Sequence, residues 1–168
     1  MKNRLYPIIF SALVLIAAIW VVTWYIRKTV TPKMQFETTG FMLTGSNTKT
    51  TITDLKGNVV IVSFFQTWCG TCAGEIQVLN ELVTELNSGK LKILYISDED
   101  INLINTYQKQ FNAAHILFAH SPKSLAGSGI YVYPTTYLLN KKGSVINSKL
   151  EGYDWSLEKE TIKKLLAE

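Results

Sequence analysis

No acidic side chain occurs before Glu37, and no charge of either sign occurs between Leu5 and Ile26. Cysteine is nearly absent, with only Cys69 and Cys72 in 168 residues. Internal repeats and low-complexity tracts are missing altogether. Each shortage excludes something. With no cysteine near the uncharged segment, there is no acceptor for a lipid. Ala17-Ala18 is followed by bulky Ile19 and Trp20, so the segment also lacks the small-x-small site of a cleaved signal peptide. The net charge of +4 vanishes once Lys2, Arg4, Arg27, Lys28 and Lys33 are set aside, because 12 basic residues then face 13 acidic ones. That balance of −1 leaves no footprint for nucleic acid.

What is present divides the chain. LYPIIFSALVLIAAIWVVTWYI is 22 residues without a charge, flanked by Lys2 and Arg4 and by Arg27 and Lys28. At a rise of ~1.5 Å per residue it spans a hydrocarbon core of ~30 Å, with Pro7 in the first turn and Trp20, Trp24 and Tyr25 as interfacial anchors. The pattern predicts a transmembrane anchor over residues 1–28, a polar linker over 29–35, and one domain over 36–168. The nearly balanced flanking charges do not orient the helix.

Within the domain, Phe41–Thr44 and Thr50–Thr53 read as a hairpin around GSNTK, with DLKGN as a turn. VVIVSFF, residues 59–65, is continuous and β-branched, as a strand buried on both faces is. The cysteines follow at once. Ile76, Leu79, Leu82, Val83 and Leu86 then recur at helical spacing, closed by Ser88-Gly89. Cys69 thus starts a helix and Cys72 lies in its first turn. A strand at 91–97, a helix over 100–111 and a strand at 115–119 come next. Ser121-Pro122 reads as the opening of a short helix ended by Gly127. Strands at 135–139 and 144–150 form a second hairpin, and a last helix begins near Ser156. Alternating elements closed by a hairpin predict an α/β fold with a mixed sheet.

Three chemistries compete for the cysteines. Zinc would recruit His115 and His120, but 42 residues separate Cys72 from His115, and positions five apart in a strand face opposite ways. A permanent disulfide across so short a loop constrains the unfolded chain little. Redox exchange uses every neighbour: backbone amides and the helix dipole stabilise a Cys69 thiolate, and Cys72 is placed to resolve a mixed disulfide. Trp68 reads either as an apolar flank for the thiol or as core packing.

Strand, Trp-Cys-x-x-Cys, helix and a later Tyr133-Pro134-Thr135-Thr136 resemble the thioredoxin superfamily, specifically the membrane-anchored ResA/TlpA-like thiol-disulfide oxidoreductases. The resemblance covers residues 36–168. It implies a mixed central sheet flanked by helices, with an N-terminal hairpin and an inserted helix-strand unit at 100–119. It further implies that Cys69, Cys72 and Glu75 are catalytic, that Glu75 shuttles protons, and that Trp68, Tyr133, a cis Pro134 and Thr135 meet the substrate. The alternative for Glu75 is a solvated helix carboxylate. No cofactor beyond the redox-active disulfide is implied.

Its partners would be a protein disulfide, with apocytochrome c the leading candidate, a membrane electron donor and the lipid bilayer. The domain would face the periplasm or cell exterior from the cytoplasmic membrane. Three positions depart from the family's pattern: Ser63 stands where plain thioredoxins carry a buried aspartate, Gly70-Thr71 lacks a proline, and Gln77 replaces another. A thiol-based copper module is the competing class, for which Met34 and Met42 lack motif spacing.

Overall fold

The structure, a computed structural model, describes residues 5–29, 32, 34, 36, 40–45, 49–152 and 154–168, without the side chains of 5–8 and 24–29. The chain divides into two compact units, Met1–Thr31 and Pro32–Glu168. Lys2, Arg4, Lys33 and most of the expected linker lie outside the described residues, as do the side chains of Trp24 and Tyr25.

The first unit is helix α1, Leu5–Thr29. Side chains 9–23 are exposed, among them Phe10, Leu13, Ile16 and Trp20. The one hydroxyl near the end of this stretch turns inward: Thr23 Oγ1 donates to the carbonyls of Ile19 at 2.8 Å and Trp20 at 2.9 Å. Among the described residues, no helix is long and apolar enough to cross a membrane.

The second unit is built on a seven-stranded sheet. Its strands are β1 (Gly40–Leu43), β2 (Lys49–Thr51), β3 (Val59–Phe64), β4 (Leu91–Ser97), β5 (Ile116–His120), β6 (Thr135–Leu139) and β7 (Val145–Leu150). They lie in the order β2-β1-β5-β4-β3-β6-β7. The central β5-β4-β3 pairs are parallel and the outer ones antiparallel. The sheet is mixed, as expected, and the hairpin at each end is present.

Strand parity sorts the core. Val59 and Ile61 of β3, Ile93 and Tyr95 of β4 and Leu138 of β6 point to one face, where they pack with helices α2 (Gly70–Leu86), α3 (Ile101–Gln108) and α4 (Trp155–Ala167). Val60, Val62, Phe64, Leu94, Ile96, Tyr137 and Leu139 point to the other.

Several expectations need correction. Among the described residues, the helices flanking the sheet, α2, α3 and α4, pack on one face. The second is closed by Phe36, Ile52, Leu125 and Ile130, the last three of which come from a 3-10 turn and the long β5–β6 connection. The Ser121-Pro122 helix does not form: the Ser121 hydroxyl accepts the Lys123 N–H, as a cap would, but also donates to the Lys123 carbonyl, an acceptor a continuing helix would need. The only helical turn there is Ala126–Ser128, ended by Gly129 at φ 83°. Helix α2 closes at Asn87, not Ser88-Gly89: its N–H still reaches the Val83 carbonyl, and its left-handed φ of 44°, which asparagine tolerates, turns the chain away from the helix. Helix α3 ends at Gln108, three residues early, where Gln110 and Phe111 turn back onto Tyr107 and Gln108.

Candidate active site

The site forms where β3 runs out beneath the start of α2. Five residues, Phe65–Cys69, make that turn, and Cys69 is the N-cap of α2. The two cysteines are joined in a disulfide with Cα atoms 5.3 Å apart. Cys69 Sγ accepts the Cys72 backbone N–H at 3.2 Å, one of the donors a helix start leaves unpaired. Cys69 keeps a little exposure, 7%, while Cys72 has none. Sulfur at the positive end of a 17-residue helix is placed where a thiolate gains from the dipole and the free amides.

Glu75 lies one turn further along the helix and points inward, 7% exposed. The solvated alternative is thereby excluded. Three strands meet it with a row of hydroxyls. Register places Ser63 of β3 opposite Tyr95 of β4 and Thr136 of β6, and parity turns all three toward α2. Tyr95 donates to Glu75 Oε2 at 2.6 Å and Ser63 at 2.8 Å. Thr136 lies at 3.3 and 3.4 Å from the two oxygens and 2.9 Å from the Ser63 hydroxyl. The Trp155 side chain contributes a further hydrogen bond.

Burial dominates over these donors and holds the Glu75 pKa above its ordinary value of 4.5, because desolvation penalises the charged form. Burial first, and the Glu75 charge second, push the Tyr95 hydroxyl well above the ordinary tyrosine range. Tyr95 is therefore a donor that stays neutral. An open groove of about 490 Å³, lined by Thr71, Gly74, Val78, Gly152 and Trp155, reaches Glu75 from outside. It supplies a path between the acid and solvent.

Trp68 is 72% exposed, so the core-packing reading does not hold and the indole stands as a flank beside the turn. It meets the Tyr133 ring edge to face, centroids 5.9 Å apart. That contact sets the Tyr133-Pro134 segment beside the redox turn. The peptide bond between these two residues is cis. Pro134 is buried, and its carbonyl accepts the Glu151 N–H at 2.8 Å.

Thr135 does not fit its expected role. It has no exposure, and its hydroxyl donates to the Val132 carbonyl at 2.6 Å. A single step along the strand reverses the face, and Thr136 is the threonine that reaches the buried acid.

Tyr95, Thr136 and Trp155 were not anticipated, and Ser63 was read only as a missing aspartate. Alternating parity could have sorted their faces, but which strands are neighbours is not a local property. Among the described residues, no three His, Cys, Asp or Glu side chains cluster as metal ligands. His120 Nδ1 donates to the Glu99 carbonyl at 2.8 Å, and Met34 packs in the second apolar cluster.

A cysteine pair on a helix start, above a buried acid and beside a cis-proline loop, defines a dithiol-disulfide redox centre. The chain belongs to the Redoxin family, whose model matches residues 31–166. It is 27% identical to the thiol-disulfide oxidoreductase ResA of Bacillus thuringiensis over 168 residues, 90% of this chain and 95% of that one. It is 24% identical to the thioredoxin-like protein YneN of Bacillus subtilis over 60% of this chain and 61% of that one.

Among solved structures, DsbF from MTB superposes with a TM-score of 0.65 at 13% identity, covering 78% of this chain and 96% of that one. Peroxiredoxin Q of Xanthomonas campestris superposes with a TM-score of 0.62 at 17% identity, covering 83% and 96%. DsbF, solved in mixed oxidised and reduced forms, and a peroxiredoxin share this fold, so the fold alone does not fix the chemistry.

The buried acid carries a signature in stability. Because its folded pKa is raised, neutral Glu75 favours the folded state. That contribution is complete below the ordinary value of 4.5 and is lost as pH rises through the higher folded value. Urea unfolding of the oxidised protein should therefore show a decline above pH 4.5 that Glu75→Gln abolishes. The decline is worth ~1.4 kcal/mol for every tenfold difference in proton affinity between the folded and unfolded chain. Parallel pH curves for the two proteins would show that Glu75 is not desolvated.

Proposed function

We propose that this chain is a membrane-anchored thiol-disulfide oxidoreductase that reduces specific protein disulfides outside the cytoplasm. The observation that carries the chemistry is the Cys69–Cys72 disulfide at the N-terminus of α2 with the Glu75 carboxyl buried one turn below it. The oxidised pair is the end point of the reducing half-cycle.

In that half-cycle the Cys69 thiolate attacks one sulfur of the substrate disulfide. A mixed disulfide forms and the first substrate thiolate leaves, taking a proton from neutral Glu75. The Glu75 carboxylate then accepts the Cys72 proton. Cys72 sulfur attacks Cys69 Sγ, the second substrate thiolate leaves, and the intramolecular disulfide closes. Two electrons have passed to the substrate, and a dithiol donor must return them. The family resemblance supports a membrane electron carrier in that part. Trp68, Tyr133 and Pro134 hold the substrate segment against the redox turn.

Reduction is favoured over oxidation by what surrounds the sulfur. Strong oxidants stabilise the reduced form through a very acidic thiol. Here the intervening Gly70-Thr71 carries no charge that would stabilise a thiolate.

The anchor reading rests on the 22 uncharged residues of Leu5–Ile26, the exposed apolar side chains at 9–23, and the Thr23 hydroxyl satisfied by its own helix. Unpaired polar groups are costly in hydrocarbon. An anchor is of little use to a general cytosolic reductant, and a chain whose only cysteines are a redox pair suits an oxidising compartment. The resemblance to the ResA branch favours the haem-binding cysteines of apocytochrome c as substrate. A copper-binding thiol module remains the second class, but a cysteine pair over a proton-handling acid favours exchange over metal storage.

Equilibration with glutathione buffers tests the direction. The midpoint is expected near the thioredoxin value of about −270 mV, and one above about −150 mV would make the protein an oxidase. For location, alkaline phosphatase fused after Glu168 is expected to be active. An inactive fusion alongside an active cytoplasmic reporter would reverse the topology.

A further inference from the structure

The end of β4 carries two adjacent carboxylates, Asp98 and Glu99, that the exchange chemistry does not use. Both are half-buried, and neither forms an ion pair among the described residues. Their oxygens are instead filled by donors from the redox turn and its surroundings. Glu99 Oε2 accepts the Thr67 backbone N–H at 2.7 Å and the Ser97 hydroxyl at 3.0 Å, while Oε1 accepts the Thr67 hydroxyl at 2.9 Å. Asp98 Oδ1 accepts the Gln66 side-chain amide at 2.7 Å, and Oδ2 accepts the Leu125 backbone N–H at 2.8 Å. Bonds to ionised acceptors are the strong ones, and a half-buried site screens them less than open water does.

These contacts lead to both halves of the site. On one side, the Gln66 carbonyl accepts the Cys69 N–H at 3.0 Å, so the segment that Asp98 and Glu99 grip is bonded to the N-cap cysteine itself. On the other side, the Leu125 carbonyl accepts the Ile130 N–H at 3.0 Å, and the Ile130 carbonyl receives the Tyr133 hydroxyl at 3.4 Å. Gln66 also hydrogen-bonds the Tyr133 side chain. The Glu99 carbonyl is in turn held by His120 at the end of β5.

We propose that Asp98 and Glu99 are positioning residues, which lock the Gln66–Cys69 turn in register with the Tyr133-Pro134 loop so that the attacking sulfur faces the substrate segment. Two carboxylates suit this work because each offers two oxygens to donors arriving from different loops. A misplacement of about 1 Å at a reacting group can cost on the order of a hundredfold in rate, so a clamp on the turn acts on exchange even though it touches no reacting atom. The proposal rests on Cys69 being the attacking thiol.

The test uses the full chain, reduced and held in detergent micelles. The rate of its reaction with oxidised glutathione is measured beside thermal unfolding. Glu99→Ala is expected to slow exchange about tenfold or more. Glu99→Gln is expected to recover most of that loss, because its amide oxygen can accept the Thr67 N–H and its amide nitrogen can donate to the Thr67 hydroxyl.

Wild-type exchange by Glu99→Ala overturns the proposal. So does a Glu99→Gln protein as slow as Glu99→Ala, which would assign the effect to charge. Should Glu99→Ala not fold, Thr67→Val removes the hydroxyl bond alone and is expected to slow exchange by a smaller factor, and an unchanged rate would count against the clamp. Iodoacetamide labelling of Cys69 in the wild-type chain separates the two layers. A wild type in which Cys72 labels first overturns the functional reading, and the positioning role with it, whereas normal Cys69 labelling with unaffected variants overturns the positioning role alone.

Discussion

One carboxyl group held out of water beneath a disulfide is the constraint on which the site depends. Glu75 could not be buried at acceptable cost without donors, and the sheet supplies them in a single row: Tyr95, Ser63 and Thr136, on three adjacent strands, all turned to the α2 face. The row works only if β4 and β6 flank β3 in this register. A slip of one residue would turn hydroxyls away and bring Leu94, Val62 or Tyr137 into the opposite cluster. The pairing of the central strands is thereby tied to the burial of this carboxyl.

The same arrangement separates two electrostatic tasks. The start of α2 favours a thiolate at Cys69 through its amides and dipole, while burial outweighs the hydrogen bonds of the acid beneath and raises its pKa. An acid that is neutral near the sulfur can give a proton, and one that has given it can take another. Replacing Glu75 with a well-packed neutral group would make a more stable protein at high pH and a poorer exchanger. A buried ionisable group kept at a cost in stability is the mark of a functional position.

Much of this was legible locally. The runs 91–97 and 135–139 match β4 and β6 residue for residue, because short, mostly apolar stretches bounded by turns have few alternatives. The strand-to-helix junction at the cysteines was legible for the same reason, whereas for Glu75 the residues alone left a solvated helix carboxylate open. What escaped was nonlocal or depended on one bond. Ser63 looked like a lost aspartate until its neighbours across the sheet were known. Thr135 and Thr136 are the same residue type one step apart, and only the parity of β6 decides which of them meets the acid. The Ser121 turn looked like a helix cap because the same hydroxyl chemistry serves both. Nothing in a linear reading connects Asp98 and Glu99 to Gln66, Thr67 and Leu125.

The central claim is that Glu75 transfers the protons of exchange. The most direct measurement is the pH dependence of exchange between the reduced protein and a small disulfide, in wild type and in Glu75→Gln with its fold verified. The account predicts an inflection in the wild-type profile above the ordinary carboxyl value of 4.5, absent from the variant, together with slower exchange by the variant across the neutral range. Superimposable profiles and equal rates would contradict it and reduce Glu75 to a buried structural acid.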